Sequence, residues 1–203
     1  LRFGGGQAIG AIHRQIWAPG VQNLHQAFEY LNHLTAKAIE PALALHVPAR
    51  VLDLGCGVGG SAIWLAQRLP LSVVGVTNSA VQQQLAVERS RRLGLEGRCQ
   101  FILADFTHLP PLELFNAAYA IESFVHAAEA RRFFDQASTC LVRGGRLIIC
   151  DDFLHPQALE LTPRSAPWRC LQRFKKDWHI LNLSTPEAAV ELAREAGFRL
   201  VES

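Results

Sequence analysis

The stretch Val51-Leu52-Asp53-Leu54-Gly55-Cys56-Gly57-Val58-Gly59-Gly60 constrains this chain most: an apolar run enters a cluster of glycines and leaves into an amphipathic segment. A buried strand turning sharply into a helix reads this way, because glycine serves where φ is positive or where a ligand approaches the main chain. The pattern then repeats. Residues 51–54, 71–76, 101–103, 116–121 and 146–150 read as five strands, with helices at 60–68, 80–93 and 128–141 between them. Strand and helix alternating in this way predict an α/β fold, a doubly wound and mostly parallel sheet covered on both faces. Gly94 follows a helix, and Gly144-Gly145 is expected to separate a helix from the next strand.

On the N-terminal side, Leu24, Phe28, Leu31, Thr35 and Ala38 recur at steps of three and four, widened by Ala27 and Leu34, which predicts an amphipathic helix. Pro19-Gly20 separates it from a shorter expected helix at 8–17, itself preceded by Gly4-Gly5-Gly6, and Pro41 is expected to bend its end. Past Asp151-Asp152 the chain is less regular, with a basic amphipathic piece at 168–178. Thr185-Pro186 starts a further helix, Gly197 stops it, and 198–201 reads as a sixth strand. The whole is expected to form one domain of 203 residues. Residues 1–48 would be a helical cap, 49–152 the cofactor-binding core and 153–203 the substrate-side helices with the last strand.

Gly55, Gly57 and Gly60 also satisfy GxGxxG, so a dinucleotide site has to be weighed. Such a site places an acid at the end of the second strand for the ribose hydroxyls; here that end reads Val76-Thr77-Asn78-Ser79. Asp53, two residues before the first glycine, would repel a pyrophosphate. It suits the amino group of an amino-acid-bearing cofactor, S-adenosylmethionine (SAM).

On these residues the sequence resembles the class I SAM-dependent methyltransferases from about Arg50 through Ser203. The run from Asp53 through Gly55, Cys56, Gly57 and Gly59 looks like the family's first motif, which holds the methionine part of SAM. Gly75-Val76-Thr77-Asn78-Ser79-Ala80-Val81-Gln82 departs from members that carry the ribose acid. It is similar to a GxTxSxxQ subgroup of cyclopropane-forming, tocopherol and carbon-methylating sterol and terpene enzymes. The resemblance implies that Gln82 contacts ribose with Thr77 and Asn78 nearby, that Asp105 and Phe106 hold the adenine, and that Ile121 borders the cofactor. It also implies a Rossmann-like sheet whose last strand inserts between the fifth and sixth. With no such strand after 198–201, a six-stranded sheet or one completed by another chain is expected.

Glu122 and His126 follow the fourth strand, at the carboxyl-end crevice where ligands of open parallel sheets bind. In the resembling alkene methyltransferases a Glu matching Glu122 stabilises a cation or removes a proton. His126 is the alternative base for an oxygen or nitrogen nucleophile, and the sequence leaves the choice open. A structural carboxylate that caps a helix or binds the cofactor from the sheet side is the plainer reading of Glu122. His13 and Trp17 would close over a substrate as a lid, against the simpler reading of packing or surface exposure. Asp151, Asp152 and His155 lack further partners for a metal site, so no metal is expected.

The expected activity is methylation, by SAM and with release of S-adenosylhomocysteine, of a carbon or oxygen on a small, apolar, isoprenoid or polyketide-like metabolite. The alternatives are a SAM-fold binding or cyclase-like protein without transfer, and an NAD-dependent oxidoreductase. A net charge of +2 with scattered basic residues argues against nucleic acid as a partner. No apolar run is long enough to span a bilayer, and Leu1 to Gly6 lack a signal peptide's core. Five cysteines without CxxC spacing read as free thiols, so the expected setting is the cytoplasm, with homodimerisation left open. The chain contains no methionine, even at its start, which reads as a fragment or as lost methionine positions.

Overall fold

Five strands hydrogen-bond into one sheet in a computed structural model that describes residues 13–202. They are β1 (Ala49–Leu54), β2 (Leu71–Thr77), β3 (Cys99–Leu103), β4 (Phe115–Ile121) and β5 (Leu141–Cys150), in the order β3-β2-β1-β4-β5. Every pair is parallel. The winding reverses between β1 and β4, which opens a crevice beyond their carboxyl ends. The register sets Asp53 beside Tyr119 on one side and Gly75 on the other.

Alternation along β1 divides the core. Val51 joins Val73 and Tyr119 under Ile63, Trp64 and Leu65 of α2 (Gly60–Arg68). On the other face, Leu52 and Leu54 meet Phe133, Phe134 and Ala137 of α4 (Ala130–Thr139) and Ala189 of α6 (Pro186–Glu195). Because both faces are covered, β1, β2 and β4 are almost wholly buried, which explains their continuous apolar sequence. α1 (Leu24–Ile39) and α3 (Ala80–Arg92) complete the first layer. α5 (Ala166–Asp177) buries none of its residues.

The expected elements form with four differences. The buried stripe of α1 runs through Ala27, Phe28, Asn32, Thr35 and Ile39, while Leu24 and Leu34 are exposed. Its rotation is fixed by Glu29, whose buried carboxylate accepts from Trp64 Nε1 at 2.6 Å and Arg68 at 3.0 Å. Of the helix expected at 8–17, residues 8–12 lie outside the described residues. Residues 13–17 are not helical; there the Ile16 N–H donates to the Ala27 carbonyl. Gly144-Gly145 falls within β5 at a register slip between Phe115↔Leu141 and Ala117↔Arg146, not before the strand. Residues 198–201 form no strand. In the resembled topology that segment pairs only with an intervening last strand, and an isolated strand satisfies none of its ladder. The sheet therefore has five strands among the described residues, where six were expected.

Candidate active site

The glycine turn is shaped by contacts that a side chain would break. At Gly55, φ is +103° and an added Cβ would lie 2.4 Å from Ser123 Cβ; at Gly59, φ is +78° and the Cβ would lie 2.8 Å from the Phe101 ring. The N–H groups of Gly55 and Cys56 both donate to the Val76 carbonyl, at 3.0 and 2.8 Å, which ties the ends of β1 and β2. Gly59 caps α2 without a side chain, leaving the first-turn N–H groups near Gly60 and Ser61 to meet a ligand.

Asp53 forms the floor of a pocket beside this turn. The Tyr119 hydroxyl donates to its Oδ2 at 2.7 Å, but burial dominates and pushes the carboxyl up to about 7. Burial, with the Asp53 charge adding to it, also drives the Cys56 thiol far above its usual range, so Cys56 is an inert wall and not a nucleophile. A buried carboxylate with a single hydroxyl partner is suited to a cationic ligand group, and SAM fits it through its ammonium.

Around the ends of β2 and β3 lie the other expected cofactor residues. Thr77 Oγ1 donates to Gln82 Oε1 at 2.7 Å, which occupies the amide oxygen and fixes the side chain at the start of α3; Ser79 caps that helix. Asn78 is exposed. Asp105 Oδ1 accepts from the Thr107 N–H and hydroxyl, each at 2.8 Å, and Phe106 packs edge-on against Phe133. Thr77, Asn78, Gln82, Asp105 and Phe106 lie outside the lining of the Asp53 pocket, and the Phe106 ring comes within 3.7 Å of where a Gly55 Cβ would stand.

Across that pocket stand Ile121, Glu122, Val125 and His126. Glu122 holds a positive φ of 48°, and its carboxylate accepts the Arg14 N–H at 3.1 Å from each oxygen and Arg14 Nε at 3.2 Å. Arg14 also donates to Asp152 at 2.6 Å and lies 5.9 Å over the Trp178 ring. Burial would lower its pKa, but the hydrogen bonds and charges of Asp152 and Glu122 raise it above its usual value. His126 Nδ1 lies 3.1 Å from the His179 carbonyl oxygen. A carbonyl only accepts, so Nδ1 carries the proton and Nε2 is the basic nitrogen.

Of the two expected lid residues, His13 lines the pocket, whereas Trp17 is 59% exposed and outside the lining. Asp151, Asp152 and His155 separate: Asp151 accepts the Val125 N–H, Asp152 binds Arg14, and His155 caps a 3-10 turn. Burial is the main cause that raises the Asp151 pKa. Arg14, Ser61, Trp178 and Ile180 were not singled out from the sequence. Arg14 lies 108 residues from Glu122, and no spacing rule signals such a pairing.

Residues 51–145 match the model of a methyltransferase domain. The chain is 36% identical over 141 residues to Methyltransferase GfsG of Streptomyces halstedii, covering 69% of this chain and 50% of that protein. It thus spans half the length of that relative. Among solved structures it is similar to the 4+2 cyclase SpnF, with a TM-score of 0.76, 27% identity, and coverage of 95% of this chain and 66% of that one. A geranyl diphosphate methyltransferase in complex with SAM shares the fold at a TM-score of 0.77 and 21% identity, covering 91% and 77% of the two chains.

Proposed function

Because this chain belongs to the class I methyltransferases that use S-adenosylmethionine, we propose that it methylates a carbon or oxygen of a small, apolar metabolite of isoprenoid or polyketide type. The observation that carries this reading is a single pocket with a buried carboxylate, Asp53, at its floor and a base, His126, at its rim. Ile121, Val125, Trp178 and Ile180 line the same pocket, which suits an apolar acceptor. The cofactor, when bound, supplies a methyl already activated by its sulfonium. The protein's share is alignment, exclusion of water and management of one proton.

Asp53 and the glycine turn hold the amino-acid end of the cofactor in this reading, and Thr77, Asn78, Gln82, Asp105 and Phe106 hold the nucleoside. His126 is the general base, through Nε2, because its other nitrogen is committed to the His179 carbonyl. Glu122 is engaged by three contacts from Arg14 and anchors the segment above the pocket. His126→Gln therefore lowers kcat by roughly 10²- to 10⁴-fold with unchanged SAM affinity. Glu122→Gln chiefly raises KM for the acceptor. The opposite pattern would make Glu122 the base. The direct test is transfer of labelled methyl from SAM to a panel of isoprenoid and polyketide acceptors.

The likeness to a 4+2 cyclase favours a second reading, a SAM-binding scaffold for cyclisation. In that case a polyene acceptor is converted without a gain of one methyl mass. The five cysteines, none in a disulfide, support placement in a reducing compartment such as the cytoplasm. Among the described residues no helix is long and apolar enough to cross a membrane.

A further inference from the structure

His13 is only 7% exposed, and its Nδ1 lies 3.2 Å from the Arg14 carbonyl oxygen. That carbonyl can only accept, so Nδ1 carries the hydrogen and Nε2 of the neutral ring is an acceptor. Nε2 is buried and has no hydrogen-bond partner among the described residues. Buried acceptors rarely go without a donor, so a group that pairs with Nε2 is to be sought in the ligand. His13 shares its pocket with Asp53, Cys56, Gly60 and Ser61, whereas Thr77, Gln82 and Asp105 lie outside that lining. The imidazole therefore shares one pocket with the amino-acid end of the site and with Glu122, His126 and Trp178, and not with the nucleoside end. Asp53 and His13 Nε2 are both acceptors, and two acceptors around one pocket call for a group with several N–H donors. A carboxylate would be repelled by Asp53 and finds its donors at the start of α2.

We propose that His13 Nε2 accepts a hydrogen bond from the α-ammonium group of the bound cofactor, which makes the N-terminal segment part of the cofactor site. The proposal rests on the cofactor reading above.

Two probes separate it from a role in packing: S-adenosylhomocysteine, and methylthioadenosine, which keeps the nucleoside and thioether but has no amino acid. Each is titrated calorimetrically into the wild type, His13→Phe, His13→Gln and His13→Asn. His13→Phe is expected to weaken S-adenosylhomocysteine by roughly ten- to a hundredfold, the worth of a hydrogen bond to a charged group. Methylthioadenosine is expected to stay within about twofold, because it lacks the group that His13 contacts. His13→Gln, whose amide oxygen reaches close to the Nε2 position, binds S-adenosylhomocysteine more tightly than His13→Asn does. That comparison decides the matter even if the Phe variant does not fold. Unchanged S-adenosylhomocysteine affinity in His13→Phe, equal weakening of both probes, or no difference between Gln and Asn would each overturn the proposal. A wild type that binds neither probe would overturn the cofactor reading itself, an outcome distinct from failure of the variants alone.

Discussion

At the scale of single residues, Asp53 makes the free protein less stable than its core would allow. Its carboxyl is raised from 3.8 to about 7, chiefly by burial, so the folded state holds the proton more tightly than the unfolded chain does. The stability this lends is full below the unfolded value of 3.8 and is lost as pH rises through about 7. Asp53→Asn removes the charge and keeps the shape. It is expected to raise the unliganded Tm by roughly 4 °C at about pH 8, to change it little at about pH 4, and to abolish SAM binding. Thermal melts at both pH values check this, and a lower Tm for the variant at the higher pH would contradict it. The sequence showed that Asp53 precedes the glycines, and Glu122 and His126 follow β4 where the crevice was expected. It could not show that Arg14 occupies Glu122, since ion pairs between distant segments leave no local pattern. The committed Nδ1 of His126 was equally hidden, because its partner is a main-chain carbonyl of another segment.

Elements were legible where periodicity and capping agreed. The helix expected at 60–68 matches α2, because Gly59 stops the turn and an apolar face begins at once. The Thr185-Pro186 start of α6 holds because Thr185 accepts the Ala188 N–H. The pattern misled where a polar group outweighed it. α1 is rotated so that Glu29 can reach Trp64 and Arg68, which leaves Leu24 and Leu34 in solvent. The glycine turn carries a prediction of its own. Gly59→Ala meets both a positive φ and the Phe101 ring, while Gly94→Ala meets a positive φ of 66° with nothing within 4 Å. The first is expected to cost about 3 kcal/mol and the second about 1 kcal/mol, since overpacking adds to backbone strain. Only the first should weaken SAM. Urea unfolding of the two variants measures the difference, and equal losses would mean that the turn tolerates side chains.

For the molecule as a whole, the reversal between β1 and β4 places one crevice within reach of the segment before α1 and of the stretch after β5. Arg14 comes from the N-terminal side, and Asp152, Trp178 and Ile180 follow β5. Arg14 thus joins the segment before α1 to Glu122, just past β4, and to the stretch after β5. Arg14→Ala is expected to speed amide exchange at 13–18 while leaving the strands unchanged, and protection equal to the wild type would show that the pairing holds nothing in place. The most direct test of the account is a calorimetric titration of the protein with SAM at about pH 8 and about pH 6, repeated with Asp53→Asn. Binding should be micromolar at the higher pH and several-fold weaker at the lower, with uptake of the ligand releasing a proton from Asp53 and the variant giving no heat. Absence of SAM binding by the wild type, or tighter binding of NAD, would contradict it.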